Sequence, residues 1–117
     1  MRLTSTRRAQ VIAAEDRLVF LLATDLLGRR LWCHRGTWLV RDGQGQWCAD
    51  PGLRDTVIAD MTQGYEAIGE GDWTVALWRN TRMLNRNREL LIRLRDYQIH
   101  REVPAPEDLP DVYRLPD

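Results

Sequence analysis

The chain has 117 residues, 44% of them apolar and 29% charged, the composition of one folded globular domain and not of a disordered chain. Its 17 basic residues balance 17 acidic ones, which argues against a generally cationic nucleic-acid binder but leaves room for a local basic patch. Two cysteines are too few for a disulfide scaffold, and the densest apolar stretch, Leu18 to Ala23, is far shorter than the roughly 20 residues of a membrane-spanning helix.

Residues 6–27 read as the first helix. Thr4, Ser5 and Thr6 offer capping hydroxyls, and Gly28 suits the C-terminal cap. Val11, Leu18, Leu22 and Leu26 share a face with Ala14, Ile12 and Val19, while Phe20 and Leu27 point the other way. A helix apolar over more than half its circumference needs cover on two sides, so it is central or lies at an oligomer interface. Arg2, Arg7 and Arg8 resemble the basic start of an export signal. Glu15, Asp16 and Arg17 interrupt the apolar part, so the expected location is cytoplasmic, with reduced thiols.

The period changes over residues 30–49. Leu31–His34, Thr37–Arg41 and Gln46–Cys48 read as three strands of a meander, with turns at Arg35-Gly36 and at Asp42-Gly43-Gln44-Gly45. Strands this short must pack against helices. Asp50-Pro51 then opens a second helix with Asp as N-cap and Pro at the first helical position. Leu53, Val57, Met61, Tyr65 and Ile68 form its apolar stripe, Gly64 weakens it, and Gly69 and Gly71 end it.

A third helix is predicted over residues 73–100. Its apolar rows run Trp73, Leu77, Leu84, Leu91 and Leu94, with Ala76, Met83, Leu90 and Tyr97 alongside, a heptad-like spacing. Residues 73–78 also alternate as a strand would, but the helical period continues through both halves. Asn80 and Asn87, one heptad apart on the apolar side, would fix the alignment of a helix pair or sit at a wet edge. From Pro104 the chain carries four prolines in 14 residues and reads as an extended arm. Residues 1–101 carry 16 Arg against 12 acids, and residues 102–117 carry one Arg against five acids. Neutrality thus arises from an acidic arm (net −4) balancing a basic body (net +4). Leu109, Val112, Tyr113 and Leu115 give the arm apolar anchors that a purely solvating tail would not need.

Several chemistries are weakly supported. Cys33, His34, Cys48 and His100 are the soft ligands, and their spacing matches no zinc pattern. Cys33 and His34 are strand neighbours, so they face opposite ways and do not make a nucleophile–base pair. Gly43-Gln44-Gly45-Gln46 has hairpin spacing with no helix after it, so it is not a phosphate loop. No metal, cofactor or catalytic residue is assigned, and an enzyme is not expected. Five tryptophans in so short a chain point to a dense core or to an interface. All 17 basic residues are arginine, which fits a GC-rich coding sequence or selection against lysine modification.

The sequence therefore implies an α+β, mainly helical fold: three helices, a three-stranded antiparallel meander between the first and second, and an extended arm. Residues 1–101 are expected to form one compact domain and 102–117 the acidic arm. The expected role is a non-enzymatic protein–protein interaction or assembly module. Its interface residues would be Trp73, Leu77, Asn80, Leu84, Asn87, Leu91, Leu94, Leu109 and Tyr113, and its partner a second copy or another protein. The alternative is a nucleic-acid-binding regulator that uses Arg79, Arg82, Arg86 and Arg93, although Glu89 and Asp96 partly neutralise that stripe. No membrane partner is expected.

Overall fold

The computed structural model describes residues 5–67 and 83–111. Among them the order is α1 (Ser5–Leu26), β1 (Leu31–His34), β2 (Thr37–Arg41), β3 (Trp47–Cys48), α2 (Pro51–Ala67) and α3 (Met83–His100), followed by an arm without regular secondary structure. The fold is α+β and mainly helical, with a three-stranded antiparallel sheet between the first two helices. The choice between helix and strand at 73–78 lies outside the described residues, as do Trp73 and Trp78.

Local chemistry sets these boundaries. Gly28 adopts φ +80°, which a side chain would strain, and its N–H donates to Leu31 O at 2.9 Å, turning the chain directly into β1. Leu27, expected to point outward with Phe20, lies past the helix end and is buried. Arg35 and Gly36 both have positive φ, 51° and 82°, between the paired residues His34 and Thr37. That is the two-residue hairpin loop whose twist matches its strands. In the next turn Asp42 Oδ1 accepts from Gln44 N–H at 2.8 Å and Gln46 N–H at 3.0 Å, while Asp42 N–H donates to Gln46 O at 2.9 Å. Gln46 thus closes the loop, and β3 starts one residue later than predicted, at Trp47. Asp50 Oδ1 accepts from Leu53 N–H at 3.1 Å, the N-cap bond expected ahead of Pro51.

The sheet has order β1-β2-β3, and its register sorts the side chains into two sets. Leu31, Cys33, Trp38, Val40 and Cys48 share one face; Trp32, His34, Thr37, Leu39, Arg41 and Trp47 share the other. On the inner face Leu31 and Val40 join the main core with Leu18, Leu22 and Leu26 of α1, Val57 and Ile58 of α2, and Leu90 and Leu94 of α3. Helix α1 meets both α2 and α3, which covers its broad apolar face from two sides. The Tyr65 hydroxyl donates to Asp25 across the α1–α2 contact. Burial, then the Asp25 carboxylate, push the Tyr65 pKa up and keep the phenol protonated as the donor.

The outer sheet face has its own small core: Trp32, Leu39, Trp47 and Ala49, with Val103 and Leu109 of the arm packed against it. The sheet is therefore covered by helices on one side and by the arm on the other. The end of α3 aims the arm. Glu102 N–H donates to Ile99 O at 3.2 Å and Val103 N–H to Gln98 O at 3.1 Å, with Glu102 at φ +49°. This is a Schellman turn with glutamate in the left-handed position that glycine normally fills. It brings Val103 against both cores at once.

Candidate functional site

The arm is held by one carboxylate in a built receptor. Arg41 and Trp47 are cross-strand partners on the outer face, and the Arg41 guanidinium lies over the Trp47 ring at 4.2 Å. Arg41 Nε donates to Arg29 O at 2.7 Å and Nη1 to Gly45 O at 2.9 Å, so two loop carbonyls fix the guanidinium plane. Its remaining donors meet Asp108 in a fork: Nη1 to Oδ2 at 2.7 Å and Nη2 to Oδ1 at 3.0 Å. Trp47 Nε1 adds a third donor to Oδ1 at 3.1 Å. Leu109, expected as an anchor, packs beside them. Tyr113, Val112 and Leu115 lie outside the described residues.

These bonds hold the Asp108 carboxyl well below its usual range. Its pKa falls from 3.8 to about 2, chiefly through the bonds from Arg41 and then Trp47. The clasp is then complete above about pH 4 and is lost as the pH falls through about 2, because protonation in the free arm precedes protonation in the docked one. Tryptophan fluorescence followed from pH 5 to pH 1.5 should show a transition in that window. The transition should be absent in Asp108→Asn, whose amide does not titrate.

The seam residues of the third helix divide. Trp73, Leu77 and Asn80 lie outside the described residues. Leu84 and Asn87 fall in the first turns of α3, with side chains outside the described set. Leu94 is fully buried in this chain's own core, and Leu91 packs against its margin. Leu94 is thus packed within the chain's own core in this fold, not on its surface. The reason is geometric: a heptad spacing shows which residues share a face, and α1 already fills the space opposite that face. The side of α3 turned away from the core carries Ile92 and Ile99, 44% and 60% exposed.

Of the arginine stripe, Arg79 and Arg82 lie outside the described residues, and the Arg86 side chain lies outside the described set. Arg93 pairs with Asp16 and, at 3.8 Å, with Glu15, tying α3 to α1. Its charge is therefore matched within the chain. Beside this pair a groove runs between α1 and α3, lined by Val19, Phe20, Arg93, Tyr97 and Arg101.

The thiols and imidazoles are dispersed. Cys33 and His34 take opposite sheet faces, as their adjacency requires. Burial raises the Cys33 pKa, outweighing the lowering effect of Arg95. Cys48 Sγ lies 3.4 Å from Val40 O, and His100 Nδ1 lies 2.8 Å from Asp96 O. Among the described residues no group of three His, Cys, Asp or Glu is placed to hold a metal ion, and no helix is long and apolar enough to cross a membrane.

Sequence reasoning does not single out Arg41 or Gln98, counts Trp47 only as one of five tryptophans, and reads the neighbouring carboxylates Glu107 and Asp108 as solvated surface, whereas Asp108 is bound by Arg41 and Trp47. The opposite charges of arm and body were the one trace of the Arg41–Asp108 pair. Comparison with protein-family models finds no matching family, and comparison with curated proteins and with solved structures finds no match.

Proposed function

We propose that this chain is a protein-interaction module with a binding rather than a catalytic role, and that the outer face of α3 joins it to a second copy of itself. The observation behind this reading is the pair Ile92 and Ile99, exposed one heptad apart on the side of α3 opposite Leu90 and Leu94. Two branched apolar side chains aligned on one helix face gain by leaving water together. Their flanks carry opposite charge by helical position: Arg88 and Arg95 on one side, Glu89 and Asp96 on the other. A parallel twofold pairing sets the arginine flank of one copy against the acidic flank of the next, which favours self-association.

Light scattering on a sizing column over a range of concentrations tests this. The expected mass approaches twice 13.7 kDa for the native chain. It should return to the monomer value in Ile92→Ser/Ile99→Ser, two changes at exposed positions that the core does not use. A native chain that stays monomeric at every concentration overturns self-association. If that monomer bound nucleic acid with a steep salt dependence, the arginine stripe would take over as the functional surface.

A further inference from the structure

We infer that the outer face of the sheet is a recognition site for an extended, proline-containing acidic peptide supplied by a partner, and that the chain's own arm occupies the site as a displaceable stand-in. The inference rests on the interaction-module reading but uses a surface separate from Ile92 and Ile99.

The receptor is specific for a carboxylate. Three N–H donors converge on Asp108, and the guanidinium that supplies two of them is fixed beforehand by Arg29 O, Gly45 O and the Trp47 ring. A fork held in place before the ligand arrives loses little freedom on binding. Beside it, Trp32, Leu39 and Trp47 form an apolar floor that takes Leu109 one residue beyond the carboxylate and Val103 at the near end. Between those anchors the arm runs Pro104-Ala105-Pro106-Glu107, with two residues that lack an N–H and are restrained to extended backbone. Aromatic floors commonly read such segments, because little order has to be imposed on them. The pattern read is therefore an apolar residue, prolines, a carboxylate and a leucine.

The arm is also built to leave. Asp108 stays 58% exposed on its side chain, Val103 and Leu109 are only partly covered, and Glu102 at the hinge holds a left-handed conformation costly for any residue with a side chain. Contacts this exposed open far more readily than a core. The body that remains carries net +4 and attracts an acidic replacement.

The test uses the full chain and a blocked synthetic peptide with the sequence of residues 102–111, followed through the indole N–H resonance of Trp47. In the native chain the tethered arm competes at an effective concentration on the order of millimolar. The peptide should therefore bind the Asp108→Ala chain at concentrations at least about tenfold lower than the native chain requires. Asp108→Asn in the peptide should weaken binding at least about tenfold, and Arg41→Ala in the chain should abolish the response. Leu109→Ser, which loosens the arm without touching the receptor, should admit the peptide as Asp108→Ala does and serves if that variant fails to fold. No binding to either loosened chain at about 1 mM peptide overturns the inference, as does binding indifferent to the Asp-to-Asn change. Repeating the titration in the Ile92→Ser/Ile99→Ser background should give the same result, so failure of self-association and failure of this site are read separately.

Discussion

Truncating Leu94 to alanine should cost about 3 kcal/mol and lower the melting temperature by about 10–20 °C. Leu94 is 0% exposed and shares the main core with Leu90, the α1 leucines and the inner sheet face. The loss combines the transfer of the deleted atoms with the cavity they leave, and a site ringed by two helices and a sheet collapses poorly. Thermal melts over a tenfold range of protein concentration separate the two roles Leu94 was assigned. A core residue shifts the midpoint equally at every concentration; an interface residue shifts it more when the protein is dilute.

Replacing Gln98 by glutamate should cost about 2–4 kcal/mol at pH 7 and less at pH 4. The Gln98 amide meets the outer edge of β1 as a neighbouring strand would: Oε1 accepts from Cys33 N–H at 3.1 Å, and Nε2 donates to Cys33 O at 2.9 Å. Glutamate keeps the acceptor, loses the donor and sets a negative oxygen against a carbonyl in a site where Gln98 is only 9% exposed. Burial and that repulsion raise the new carboxyl's pKa in the fold, so the variant favours the protonated side chain, which restores the donor. Stability relative to the native chain therefore recovers as the pH falls. Denaturant melts at pH 7 and pH 4 measure it, and equal losses at both would show that the amide's donor role is dispensable.

Local signals in the sequence carried most of the fold. Asp50-Pro51 and Gly28 act through bonds to residues within four positions, and the hairpins act through turn dihedrals, so short windows suffice to place them. The inward set of β1 and β2 follows from strict alternation once the turn is located. The long-range partners were not legible. Arg41 and Asp108 stand 67 positions apart, and so close a fork has no periodicity to announce it. Gln98 likewise lies 65 positions from Cys33, and a single glutamine on a helix carries no spacing signature. The apolar rows of α3 were visible, but which of them met α1 and which met water depended on packing that periodicity does not encode. Trp32 and Trp47 belong to the outer core and Trp38 to the edge of the main one, a division set by sheet face.

Among the described residues the arm alone closes the sheet's second face, so it also acts as a solubility cover. A protease nick just after Glu102 would bare two tryptophans and a leucine beside an arginine that has lost its counter-charge. Patches of that kind drive sticking between copies. Clipped material should therefore separate from intact protein by precipitating, and a preparation that turns cloudy on storage should be searched first for cleavage at this turn.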